Sequence, residues 1–198
     1  MNERALIETG VQQMQGGELD AAEKTFQDAL VISPKNADAL HLLGLTRNLK
    51  GNSSEAIDPI RDAISLSPAN PFFQNSLGQV YQALGDHGEA LDCFSQATEI
   101  NPEFPEAHFG MAVAEQKLGR PEDALASYRQ ALALKPDIPQ ALCNIGNVLK
   151  ELGNLEEAVT RFNQFIASAP QLVQAETHVN LGDALRDLGR LEEAVQCY

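Results

Sequence analysis

Along Pro139–Ala158, PQALCNIGNVLKELGNLEEA, apolar and polar positions follow a period of about 3.6 residues, twice over, with a break at Gly153. The pattern predicts two short amphipathic helices hinged at that glycine. Near-copies run through almost the whole chain. Gly17, Gly51, Gly85, Gly119 and Gly153 recur every 34 residues, and the same spacing links Ala22, Ala56, Ala90, Ala124 and Ala158. A bulky series (Phe26, Ile60, Phe94, Tyr128, Phe162) keeps this register. So do the prolines Pro34, Pro68, Pro102, Pro136 and Pro170, and the small residues Gly10, Gly44, Gly78, Ala112 and Gly146. Columns that stay in step over this distance establish an internal repeat, and its unit is a pair of helices.

Each column has a mechanical reason. A glycine in mid-helix costs about 1 kcal/mol against alanine, so the Gly10–Gly146 series requires close approach of a neighbouring helix. The bulky series supplies the side chain that fills the space beside it. The hinge glycines permit a left-handed turn, after which Asn52, Asp86 and Asn154 stand where a helix cap is wanted. Pro121 occupies a first turn, where proline is welcome. The closing prolines stop each second helix, and Pro71, Pro105 and Pro139 open the next pair.

These residues resemble the tetratricopeptide repeat (TPR) family, whose consensus sets a Leu-Gly pair, a hinge glycine, an alanine, an aromatic, another alanine and a closing proline in this order. Leu43-Gly44, Leu77-Gly78, Ile145-Gly146 and Leu181-Gly182 match the pair. The resemblance spans essentially the entire chain and implies an all-α, right-handed superhelical solenoid of antiparallel helix pairs, with first helices lining a concave groove. In this register the chain is a single array with repeats at 3–36, 37–70, 71–104, 105–138 and 139–174 and an incomplete sixth at 175–198. Tyr198 falls in the middle of a second helix. The reading therefore expects a longer protein, or a partner chain over an uncapped end through which the protein self-associates.

Two irregularities interrupt the register. Gly153 and Gly189 are 36 residues apart, so the fifth repeat is two residues longer, and it carries Phe165 where the others have Ala29, Ala63, Ala97 and Ala131. This ring is expected to push the next pair outward, changing the superhelical pitch there, or to fill a different gap. Pro59 lies beyond the first turn of a second helix, which should lose one hydrogen bond and bend near residues 55–59.

Composition narrows the partners. The net charge of −14 disfavours a nucleic-acid backbone and suits a basic peptide, although many of the carboxylates, such as Glu156 and Glu157, sit in first turns where the helix dipole accounts for them. No segment stays apolar for the roughly 18 residues that a membrane span needs, and no signal-peptide pattern follows Met1. Cys93, Cys143 and Cys197 form no paired framework, so reduced thiols and a cytoplasmic location are expected. Phosphate-binding, zinc-hydrolase and nucleophile-elbow motifs are absent and the four histidines are scattered, so no cofactor, metal or catalytic residue is assigned.

The candidate site is the groove. The family geometry puts residues spaced 3, 4, 3 along each first helix on the concave face, giving Asn147 and Lys150 in the fifth repeat, with Asn144 beside them, and Asp183 in the sixth, with Asn180 beside it. In earlier repeats the stripe holds His41, Phe72, Asn75 and Phe109. The two phenylalanines are either ligand anchors or rings packed between helices. Asn144 and Asn180 look like the asparagine ladder in the TPR arm of protein O-GlcNAc transferases, whose amides hold a peptide backbone irrespective of sequence. The alternative is a polar residue on a wet groove wall. The corresponding positions elsewhere are Glu8, Leu42, Ser76 and Gly110. A chaperone-tail clamp is not matched, because the second and third repeats offer no groove cation. The expected function is a scaffold that binds a peptide segment of another protein. The alternative is the substrate-recruiting arm of a larger enzyme of glycosyltransferase or sulfotransferase type.

Overall fold

The computed structural model describes residues 2–198, and among these every regular element is helical. The chain divides into two compact units, Met1–Glu103 and Phe104–Tyr198. The first holds α1 (Glu3–Gln15), α2 (Leu19–Ile32), α3 (Ala37–Leu49), α4 (Ser53–Leu66), α5 (Pro71–Leu84) and α6 (His87–Ile100). The second holds α7 (Pro105–Lys117), α8 (Pro121–Leu134), α9 (Pro139–Glu151), α10 (Leu155–Ser168), α11 (Ala175–Asp187) and α12 (Leu191–Cys197), with a 3₁₀ turn at Pro170–Leu172. Within each unit a helix packs on the one before and the one after it, and first helices also touch: α1 on α3, α3 on α5, and α9 on α11. No described helix is long and apolar enough to cross a membrane.

The hinges work through backbone geometry. Gly153 takes φ +77°, its N–H returns to the Lys150 carbonyl (3.1 Å), and the Asn154 N–H returns to the Leu149 carbonyl (2.8 Å). This is the paired bond that closes a helix through a left-handed glycine. It also corrects the expectation for Asn52, Asp86 and Asn154. Their side chains make no cap bond, because the turn leaves them at ψ 52–70°, short of the extended backbone that points a cap side chain at the first-turn N–H groups. Side-chain caps sit instead on first helices, where Asn2, Asn36 and Asn70 accept from the N–H groups of Ala5, Ala39 and Phe72 at 2.8–3.0 Å.

The small and bulky columns meet face to face. A Cβ built on Gly146 would lie 2.6 Å from the Phe162 ring, and on Gly10 2.5 Å from Phe26. Phe26, Ile60, Phe94, Tyr128 and Phe162 are all fully buried at these contacts.

Pro59 is buried inside α4, which runs helical on both sides of it. The carbonyl that an N–H at residue 59 would have bonded, that of Glu55, accepts from Arg47 Nη1 at 3.2 Å. Arg47 Nε also pairs with Glu23 (2.9 Å), and Lys50 joins Glu23 (2.7 Å) to Asp20 (2.6 Å), so that α2, α3 and α4 are tied through one charged cluster. In the other unit, the two extra residues of the fifth repeat lengthen the α10–α11 connection, which carries the 3₁₀ turn. Phe165 is 4% exposed just before it.

Candidate functional site

The stripe residues of α9 and α11 converge in the unit Phe104–Tyr198. A concavity of ≈ 340 Å³ is walled by Gln140, Cys143, Asn144 and Asn147 on α9 and by Glu176, Thr177 and Asn180 on α11, with Phe165, Leu172 and Gln174 closing one end. A second depression of ≈ 460 Å³ shares Asn147, Glu176 and Asn180 and continues past Lys150 and Glu151 to Asp183, Arg186 and Asp187. The two form one channel along the first helices, and five of the expected site residues (Asn144, Asn147, Lys150, Asn180, Asp183) line it.

The amides in the channel are not equally engaged. Asn180 donates from Nδ2 to Asn147 Oδ1 (3.1 Å) and accepts at Oδ1 from Lys150 Nζ, so its amide bridges α9 and α11. Asn144 donates to the Tyr128 hydroxyl (3.0 Å), which in turn donates to Gln116 Oε1 (3.2 Å), and its own Oδ1 has no partner among the described residues. A peptide N–H can therefore bond Asn144 directly, whereas full use of Asn180 requires exchanging bonds already made. At the far end, Asp183 accepts from Arg186 (2.9 Å) and from the Tyr198 hydroxyl (2.9 Å), and Arg186 also pairs with Asp187. Glu151 and Glu176 enter none of these pairs. The Cys143 thiol, 3.8 Å from the Thr177 hydroxyl, is held in its neutral form by burial, which raises its pKa.

A family model described as tetratricopeptide repeat matches residues 8–71, 75–139 and 143–198. The chain belongs to the tetratricopeptide repeat family. Its backbone is similar to pilF of Pseudomonas aeruginosa, with a TM-score of 0.88 at 18% identity, covering 98% of this chain and 88% of that one. It is also similar to a thermophilic TPR protein of Thermus thermophilus, with a TM-score of 0.70 at 26% identity over 92% and 98% of the two chains. A third likeness is to YrrB, described as a TPR protein with an unusual peptide-binding site, with a TM-score of 0.75 at 21% identity over 87% and 88%. No curated protein matches the sequence significantly. TPR folds of this kind generally mediate protein–protein interaction. Among the described residues no cluster of His, Cys, Asp and Glu is arranged to hold a metal ion.

At other stripe positions of this TPR chain, His41, Asn75 and Phe109 are taken up by packing. His41 on α3 lies against α5, with Nε2 2.8 Å from the Ser76 hydroxyl and its ring centroid 4.6 Å from that of Phe73. Asn75 is 7% exposed and its buried Oδ1 has no partner among the described residues. Phe109 packs edge-on to Tyr128 at 5.6 Å and joins the core of its unit, the second of the two roles considered for it. Phe72 remains 58% exposed. Phe165, Leu172 and Gln174 line the channel without having been expected there. The signal was present in the two-residue insertion and the phenylalanine in an alanine column.

Burial pushes the His41 pKa from 6.5 down to about 4. The folded chain keeps this ring neutral while the unfolded chain takes up a proton near pH 6.5, so stability present above that pH is lost as pH falls toward 4. Urea unfolding at about pH 7 and about pH 4.5 should show His41→Gln losing less stability between the two than the unaltered protein. Equal losses would mean that the ring does not titrate in this way.

Proposed function

We propose that this TPR protein is an interaction scaffold that holds an extended peptide segment of a partner protein along α9 and α11. The observation that carries the reading is the amide-lined channel built from first-helix side chains, whose Asn and Gln groups can both donate to and accept from a peptide backbone. Asn144 is the proposed direct backbone contact, with its free carbonyl, while Asn147 continues the same wall on α9 and Asn180 stands opposite on α11. The net charge of −14 favours a basic segment over an acidic one and disfavours nucleic acid. The likeness to YrrB, described as having a peptide-binding site, supports a peptide rather than a folded ligand.

The test uses a twelve-residue peptide selected on the protein from a random display library. Asn144→Ala combined with Asn147→Ala should weaken its binding roughly tenfold, which corresponds to about 1.4 kcal/mol, with the melting temperature moved by no more than about 2–4 °C. Thr160→Ala on the exposed face of α10 should leave affinity unchanged. A channel variant that binds as well as the original protein would end this reading.

A further inference from the structure

The end of the channel built by the fifth-repeat irregularity differs in chemistry from the rest. Phe165 and Leu172 give it an apolar floor, present only because a phenylalanine replaces the column alanine and the 3₁₀ turn brings Leu172 over it. Around that floor stand acceptors without a cation. Asn144 Oδ1 is unengaged, Gln140 and Gln174 add side-chain carbonyls, and the Glu176 carboxylate enters no ion pair among the described residues. No described lysine, arginine or histidine lines the concavity. In the adjoining depression Glu151, Glu176, Asp183 and Asp187 outnumber Lys150 and Arg186, and both cations are already bonded, to Asn180 and to Asp183 with Asp187.

We infer that this concavity is a specificity pocket for one long basic side chain, an arginine, of the bound segment. The inference rests on the peptide-channel reading and names what the channel selects. A volume of ≈ 340 Å³ admits a single extended side chain with room for water. The alkyl stem lies on Phe165 and Leu172, as the stems of long cationic residues lie on apolar surface. The head then meets Glu176 and the amide carbonyls. A guanidinium suits these better than an ammonium, because its five donors, fixed in a plane, reach several separated acceptors at once. An acidic side chain would meet an uncompensated carboxylate with no cation to receive it. An aliphatic one would leave the acceptors desolvated and unpaired.

The probes are acetyl-Ala-Ala-Arg-Ala-Ala-amide and the same peptide with citrulline, which keeps the shape of arginine and removes its charge. Titration is followed by nitrogen–proton NMR of the side-chain amides of Gln140, Asn144, Asn147 and Gln174. The arginine peptide should shift these signals saturably, the citrulline peptide should bind at least fivefold more weakly, and Glu176→Gln should close most of that gap. Glu176 is exposed in the first turn of α11, so this variant is expected to fold, and circular dichroism checks that it does. Equal binding of the two peptides overturns the inference, as does an arginine peptide that shifts no channel amide. Failure of the pocket and failure of the channel give different results. A display-selected peptide that binds along α9 and α11 equally well before and after Glu176→Gln removes the arginine pocket and leaves the channel. Failure to select any channel-binding peptide removes both.

Discussion

Phe162→Ala should lower the free energy of unfolding by about 3–5 kcal/mol, measured by urea denaturation, because it empties a fully buried ring from the contact between α9 and α10. The partner of that ring is Gly146, where an added methyl would come within 2.6 Å of Phe162 Cε1. Gly146→Ala alone should therefore destabilise by about 1–3 kcal/mol through overpacking, despite the better helix propensity of alanine. The double variant should lose clearly less than the sum, since the missing ring leaves space for the new methyl. The fourth repeat departs from this pairing and carries a methyl and a ring together. Ala112 stands in the small column opposite Tyr128, both are fully buried, and the larger ring is carried with its hydroxyl bonded to Gln116. Simple additivity would mean that the glycine column does not exist to admit the ring.

Arg47→Ala is expected to cost about 2–3 kcal/mol, more than its place on a repeat-protein surface suggests. Its guanidinium serves the mostly buried Glu23 carboxylate and also the Glu55 carbonyl that Pro59 leaves without a helix bond. Lys50→Ala should cost less, because one of its partners, Asp20, is 93% exposed and stays hydrated when the lysine is gone. The role of the proline can be isolated by repeating Arg47→Ala in a Pro59→Ala background. There residue 59 supplies its own N–H to Glu55, so the arginine should matter less. An equal loss in both backgrounds would assign the whole effect to the Glu23 pair.

The helix pairs and hinges were legible because their columns are dictated by backbone geometry and by contact between a glycine and a ring, both of which recur in register. Caps were less legible. Asn154 looks like a cap by residue type, yet its N–H is spent on the Leu149 carbonyl and its backbone angles belong to the turn, while Asn2, Asn36 and Asn70 do the capping without having been singled out. In the candidate site, helical spacing put Asn147 and Lys150 on one stripe of α9 and Asp183 on one of α11, with Asn180 beside it, and the family geometry supplied the direction in which those stripes face. The same rule missed that His41 is wedged against Ser76 and Phe73, and it left Phe109 open between a ligand anchor and the packing against Tyr128 that it adopts. Spacing gives the azimuth of a side chain and says nothing of how near the next helix stands. Phe165 and Leu172 escaped for different reasons: Phe165 replaces a column alanine whose role does not carry over to a ring, and Leu172 lies where the insertion breaks the register.

The central claim is that partners are held by the first-helix channel of residues 104–198. The most direct measurement is chemical-shift mapping of the protein with the display-selected twelve-residue peptide. The account predicts that the perturbed side-chain and backbone amides cluster at Asn144, Asn147, Asn180 and Asp183. A cluster on exposed second-helix positions such as Thr160, Glu192 and Val195, with the channel signals unmoved, would contradict it.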